Sequence, residues 1–181
     1  MWNIPNILTL FRIILIPVFV FCFYSTHEHS RFLAAFVFWL AAITDALDGY
    51  LARKLQQSTP FGAFLDPVAD KAMVAAALVL IAVDMQTLWV TIPAFLMISR
   101  EIIISGLREW MAADWSQCAS ESIVDMGKHK TAVQMLALIG LIWQPVPWIT
   151  QLGMGLLFLA TILTLWSMVE YLQAAWQDLK S

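Results

Sequence analysis

The stretch DALDGYLARKLQQSTPFGAFLDPVAD, Asp45 to Asp70, carries four aspartates in two otherwise apolar runs separated by a short polar break. On an α-helix, Asp45, Asp48, Gly49 and Ala52 stand at i, i+3, i+4 and i+7, so two acids share one stripe with two very small residues. Gly62, Asp66 and Asp70 form a second stripe at i, i+4 and i+8. The break from Gln56 to Pro60 predicts that the two helices turn back as antiparallel neighbours, with Thr59 as an N-cap and Pro60 as the first helical residue. With a rise of 1.5 Å per residue, Asp48 lies about 8 Å above Arg53 and Asp66 about 9 Å above Pro60, so the acidic pairs should face each other at similar depth. Pro67 removes one helical hydrogen bond and predicts a kink beside Asp66.

The rest of the chain places this pair in lipid. Of 181 residues 61% are hydrophobic and mean hydropathy is +0.76, well above a soluble domain's balance. Crossing the hydrocarbon takes about 20 apolar residues. Apolar segments run from Ile7 to Tyr24, Phe32 to Leu51, Phe61 to Val83, Leu88 to Trp110, Lys130 to Trp143 and Trp148 to Leu172. They predict an all-α, polytopic membrane protein, a bundle of six transmembrane helices forming a single domain over residues 1–181. The fifth segment is short and is expected to begin near Gly127, with Lys128 and Lys130 snorkelling to the interface. The breaks Ser25 to Arg31, Asp84 to Thr87, Met111 to Met126 and Gln144 to Pro147 read as loops.

With the N-terminus in the cytoplasm, Arg53, Lys54, Arg108, Lys128, Lys130 and Lys180 all fall on the cytoplasmic side and Arg31 stands at the opposite end, which favours an N-in, C-in arrangement. The first helix has no basic region before it and contains Arg12, so it reads as a retained span and not a cleaved leader. A net charge of −3 gives no sign of nucleic-acid binding. Cys22 and Cys118 lack metal-type spacing and read as packing residues. His27, Glu28 and His29 read as a solvated loop.

Four aspartates crowded into a low-dielectric setting repel one another and favour protonation. Bound cations resolve that conflict, and an all-oxygen acidic set suits Mg²⁺ or Mn²⁺. Two such ions with pyrophosphate oxygens in their coordination could clamp a displacement at phosphorus. The opposing explanation, that the acids are solvated helix-end charges, sits poorly with the expense of placing charge inside a span.

At these residues the chain resembles the CDP-alcohol phosphatidyltransferase family, whose signature D-x2-D-G-x2-A-R-x8-G-x3-D-x3-D is met at every defined position from Asp45 to Asp70. Asn3 to Arg12, Arg100 to Trp110 and Gly127 to Thr131 resemble bacterial members that use sn-glycerol 3-phosphate as acceptor. The resemblance implies a CDP-diacylglycerol donor, residence in the bacterial cytoplasmic (inner) membrane with the site facing the cytoplasm, and a homodimer. It further implies that Asp45, Asp48, Asp66 and Asp70 hold the metal and that Asp70 is the general base. Gly49, Ala52, Arg53 and Gly62 then face the CDP group, with Asn6, Thr9 and Arg12 helping to hold it.

The acceptor's phosphate needs a second cationic site, for which Arg100, Arg108, Lys128 and Lys130 are the candidates. Glu101, Ser105 and Arg108 share one helix face, so Glu101 could orient Arg108. Snorkelling and positive-inside topology explain Lys128 and Lys130 equally well. Other acceptors, such as serine, inositol phosphate or phosphatidylglycerol, are compatible with the signature. A cation transporter is the rival from another class, although the acids gather toward one side of the membrane. In the last helix Gly153, Gly155, Thr161, Thr164 and Ser167 suggest close helix packing.

Overall fold

A computed structural model of the chain describes residues 4–55, 60–114 and 122–179. Within those ranges the side chains at 4–6, 46, 48–55, 60–61, 63–64, 66, 108–114, 122–130, 171 and 174–179 lie outside the description. The described residues form six helices: α1 (Ile4–Tyr24), α2 (Ser30–Leu55), α3 (Pro60–Met85), α4 (Leu88–Asp114), α5 (Ser122–Trp143) and α6 (Pro147–Leu179). Each apolar run became one helix, and α2, α5 and α6 extend furthest beyond their apolar runs. Backbone hydrogen bonding continues into polar sequence where hydropathy stops, which is why α5 begins at Ser122 and not near Gly127. Helix α3 runs through Pro67 as one continuous element.

By length and composition, Ile7–Tyr24, Leu88–Leu107 and Pro147–Glu170 are apolar enough to cross a bilayer. Helices α2 and α3 carry the aspartates, and the apolar part of α5 is confined to Thr131–Trp143. The outward face is that of a protein in lipid: Phe21, Trp89, Phe95, Ile102 and Trp166 are all more than 60% exposed, an apolar surface that water does not tolerate on a monomer.

Packing departs from the expected arrangement in one respect. Among the described residues α1 packs extensively on both α2 and α3, whereas α2 and α3 touch each other little. The first helix therefore packs against both acidic helices where they are described. Phe19 of α1 fills this junction against Phe38 of α2, ring centroids 5.8 Å apart, above a core that includes Leu78, Ile81, Met97, Leu138 and Leu141. Between α5 and α6 the contact relies on small residues: a Cβ on Gly153 would come within 3.0 Å of Leu141 Cγ, and Gly140 lies close to the Gly153 backbone. Gly155, expected at the same contact, faces open space. Thr161 and Thr164 are buried and bond back to the carbonyls of Leu157 and Ala160, as hydroxyls in an apolar span must.

At the bundle end opposite the N-terminus of α1, Arg31 pairs with Asp84 and lies 4.4 Å from the centroid of the Phe23 ring. Gln144 donates from Nε2 to the same aspartate at 3.3 Å. One arginine thus joins the ends of α1, α2 and α3, and Asp84 links them to the end of α5. His27, Glu28 and His29 are exposed in the adjoining loop, and Cys22 forms no disulfide; Cys118 lies outside the described residues.

Candidate active site

Four helices meet at one cleft. Helix α2 presents Phe38, Ala41, Ala42 and Asp45 at i, i+3, i+4 and i+7, α3 presents Asp70 and Met73 at i and i+3, α1 contributes Arg12, and Met135 of α5 closes the wall. The alanines keep the α2 side low, which lets the long Arg12 side chain lie between the acidic helices. Arg12 is 1% exposed, and its guanidinium NH1 stands 2.6 Å from Asp45 Oδ1, whose side chain is 41% exposed. Asp45 therefore has a buried cation behind it and an open face toward the cleft, where Asp70 also lies. Below it Thr44 satisfies its own hydroxyl on Leu40 O and Ala41 O, at 3.0 and 2.8 Å, so it offers the cleft no donor.

Residues 2–166 match the CDP-alcohol phosphatidyltransferase family. The chain is 54% identical over 98% of its length to the CDP-diacylglycerol--glycerol-3-phosphate 3-phosphatidyltransferase of Shigella flexneri serotype 5b, covering 97% of that protein. The protein of that name from Escherichia coli strain K12 has the same identity and coverage. The chain belongs to the CDP-alcohol phosphatidyltransferase family.

Membership explains why the Asp45 and Asp70 carboxylates are brought to one cleft, and the donor chemistry there is consistent with a hard divalent cation. Both described acids offer only oxygen, and the thioethers of Met73 and Met135 belong to the apolar wall. Among the described residues no group of three or more His, Cys, Asp or Glu side chains gathers around a point. The Asp48 and Asp66 side chains, which the sequence assigns to the same cluster, lie outside the described residues, as do those of Asn6, Gly49, Ala52, Arg53, Arg108, Lys128 and Lys130. Thr9 and Gly62, expected to face CDP, are buried.

Arg12 has a role the sequence reading did not assign. Expected to hold CDP, it is placed as the counter-ion of Asp45, so part of the acidic repulsion is relieved by the protein itself. Arg100 is 8% exposed. It donates from NH1 to Glu101 Oε1 at 2.6 Å and from NH2 to Ser167 Oγ at 3.3 Å, tying α4 to α6. Glu101 accepts from Arg100; the Arg108 side chain, which Glu101 was expected to orient, lies outside the described residues.

Sequence reasoning overlooked Lys71. Its ammonium donates to Ser105 Oγ on α4, and Ser105 in turn donates to Glu101 O at 2.6 Å. The available signal was a lysine directly after the last signature aspartate, in an otherwise apolar run, where an ammonium is expensive to place without a reason.

Proposed function

We infer that the chain transfers the phosphatidyl group of CDP-diacylglycerol to sn-glycerol 3-phosphate, giving phosphatidylglycerol phosphate and CMP. The observation that carries this reading is the 54% identity across almost the full length of relatives named for that reaction. A cleft that joins Asp45, Asp70 and a buried arginine supports it.

In the proposed mechanism Asp70 accepts the proton of the acceptor's C1 hydroxyl as that oxygen forms a bond to the phosphorus bearing diacylglycerol. The bond from this phosphorus to the bridging pyrophosphate oxygen breaks, and CMP leaves with the electron pair. Asp45, Asp48, Asp66 and Asp70 would hold Mg²⁺ or Mn²⁺, whose charge stabilises the pyrophosphate oxygens. Arg12 pairs with Asp45 and holds its carboxylate in place, while Arg53, with Asn6, Thr9, Gly49, Ala52 and Gly62, receives the CDP group. Among the cations expected to receive the acceptor phosphate, Arg108, Lys128 and Lys130 keep that assignment, whereas Arg100 already has partners within the bundle.

The same proposal places all six helices across the bacterial cytoplasmic membrane with both termini and the active site on the cytoplasmic side. Three helices apolar enough to span support it, as does the lysine and arginine distribution. Exposed Tyr24, Trp89, Trp143 and Trp148 lie near helix ends on the Arg31 side, where interfacial aromatics belong. A homodimer completes the reading.

Purified protein given CDP-diacylglycerol should release CMP in proportion to added glycerol 3-phosphate and form phosphatidylglycerol phosphate detectable by mass spectrometry. Serine, inositol phosphate and phosphatidylglycerol should leave release at background. Equal rates with any of them would assign a different acceptor, and cation flux into proteoliposomes without CMP release would favour a transporter.

A further inference from the structure

We propose that Lys71, held by Ser105, is a further cation that receives the acceptor's phosphate, beside Arg108, Lys128 and Lys130, an assignment that rests on the transfer reaction proposed above. Lys71 is partly buried, eleven residues into α3 from Pro60, or about 16 Å along the helix. Among the described residues its ammonium has no carboxylate in ion-pair contact. Ser105 is itself fixed, since its proton goes to the Glu101 carbonyl and its lone pair is what Lys71 meets. An ammonium has three donors, so the Ser105 bond sets its position and leaves donors for an anion. Among the described residues its hydrogen bond goes to a neutral hydroxyl and the nearest charge acting with it is that of Asp70, and a partly buried cation so placed favours an anionic ligand, because little water competes for it.

The small size of the acceptor fits the spacing. Asp70 and Lys71 are consecutive, with Cα atoms about 3.8 Å apart and side chains about 100° apart around the helix axis. A three-carbon phosphate monoester can thus present a terminal hydroxyl to Asp70 while its phosphate reaches Lys71. Arg100 is less suited: the residue is 8% exposed and its guanidinium is engaged by Glu101 and Ser167. In this arrangement Arg100 braces α4, and α4 holds Ser105 where it positions Lys71.

The test is CMP release by the full-length purified protein as a function of glycerol 3-phosphate, for Lys71→Met, Lys71→Arg and Ser105→Ala. Lys71→Met should raise the KM for glycerol 3-phosphate about 10- to 100-fold, the effect of losing a charge-assisted bond. The KM for CDP-diacylglycerol and kcat should change by no more than a few-fold. Lys71→Arg should recover part of the loss, and Ser105→Ala should raise the same KM several-fold. The thermal shift that glycerol 3-phosphate produces in the wild type without the donor should shrink in Lys71→Met. An unchanged KM for glycerol 3-phosphate overturns the proposal, as does a fall in kcat with both KM values constant, which would make Lys71 a tether between α3 and α4. Should Lys71→Met fail to accumulate, Ser105→Ala decides by the same two readouts. Wild-type CMP release indifferent to glycerol 3-phosphate would instead sink the transfer reading itself.

Discussion

Asp70→Asn should insert and fold like the wild type yet lose about 10²- to 10⁴-fold in turnover, the contribution typical of a positioned general base. Asparagine keeps the size of the side chain and takes away its ability to accept the acceptor's proton. Asp70 is the described α3 acid in the cleft that also contains Asp45 and Arg12, so its replacement leaves the Arg12–Asp45 pair in place. The change should appear in kcat for CMP release, with a melting temperature in detergent close to that of the wild type. Near-normal turnover would remove Asp70 from the proton-accepting role.

The second large effect concerns stability, and its asymmetry matters more than its size. Arg12 is 1% exposed, whereas the Asp45 side chain is 41% exposed. Asp45→Ala takes a 2.6 Å partner from a buried guanidinium. Arg12→Met removes the buried charge and leaves behind a carboxylate that water reaches. Breaking a fully buried pair costs about 3–5 kcal/mol, and discounting for the exposure of Asp45 gives about 2–4 kcal/mol for Asp45→Ala. That corresponds to a fall in melting temperature of roughly 5–15 °C. Arg12→Met should cost less, roughly half as much, since a half-exposed anion loses less solvation than a buried cation. Thermal unfolding of both variants in one detergent measures the order, and a reversed order would contradict Arg12 as the buried anchor of the pair.

Much of the architecture was readable from apolar run lengths, because a long apolar run satisfies its own backbone groups by folding into a helix. Helix ends were less readable: α5 begins at Ser122 and α6 reaches Leu179, in polar stretches where helical bonding continues but hydropathy gives no signal. The packing order was not readable. A short break between α2 and α3 suggested close neighbours, and among the described residues each of them packs more extensively on α1 than on the other, since pairing across the bundle depends on side-chain shape as well as loop length.

The site shows the same division. The spacing of Asp45 and Asp70 pointed to a shared purpose, and both line one cleft. The choice of Arg12 as partner for Asp45 joins residues far apart in sequence, and helical periodicity carries no information about it. Lys71 escaped notice for a related reason: its meaning depends on Ser105 of α4, a residue that periodicity grouped with Glu101 and Arg108.

The most direct trial of the account is CMP release from CDP-diacylglycerol and glycerol 3-phosphate by the purified protein, before and after EDTA and again after Mg²⁺ or Mn²⁺ is restored. Release should fall to background with the chelator and return with either ion. Turnover that continues undiminished in EDTA would contradict a cation-dependent carboxylate site between α2 and α3.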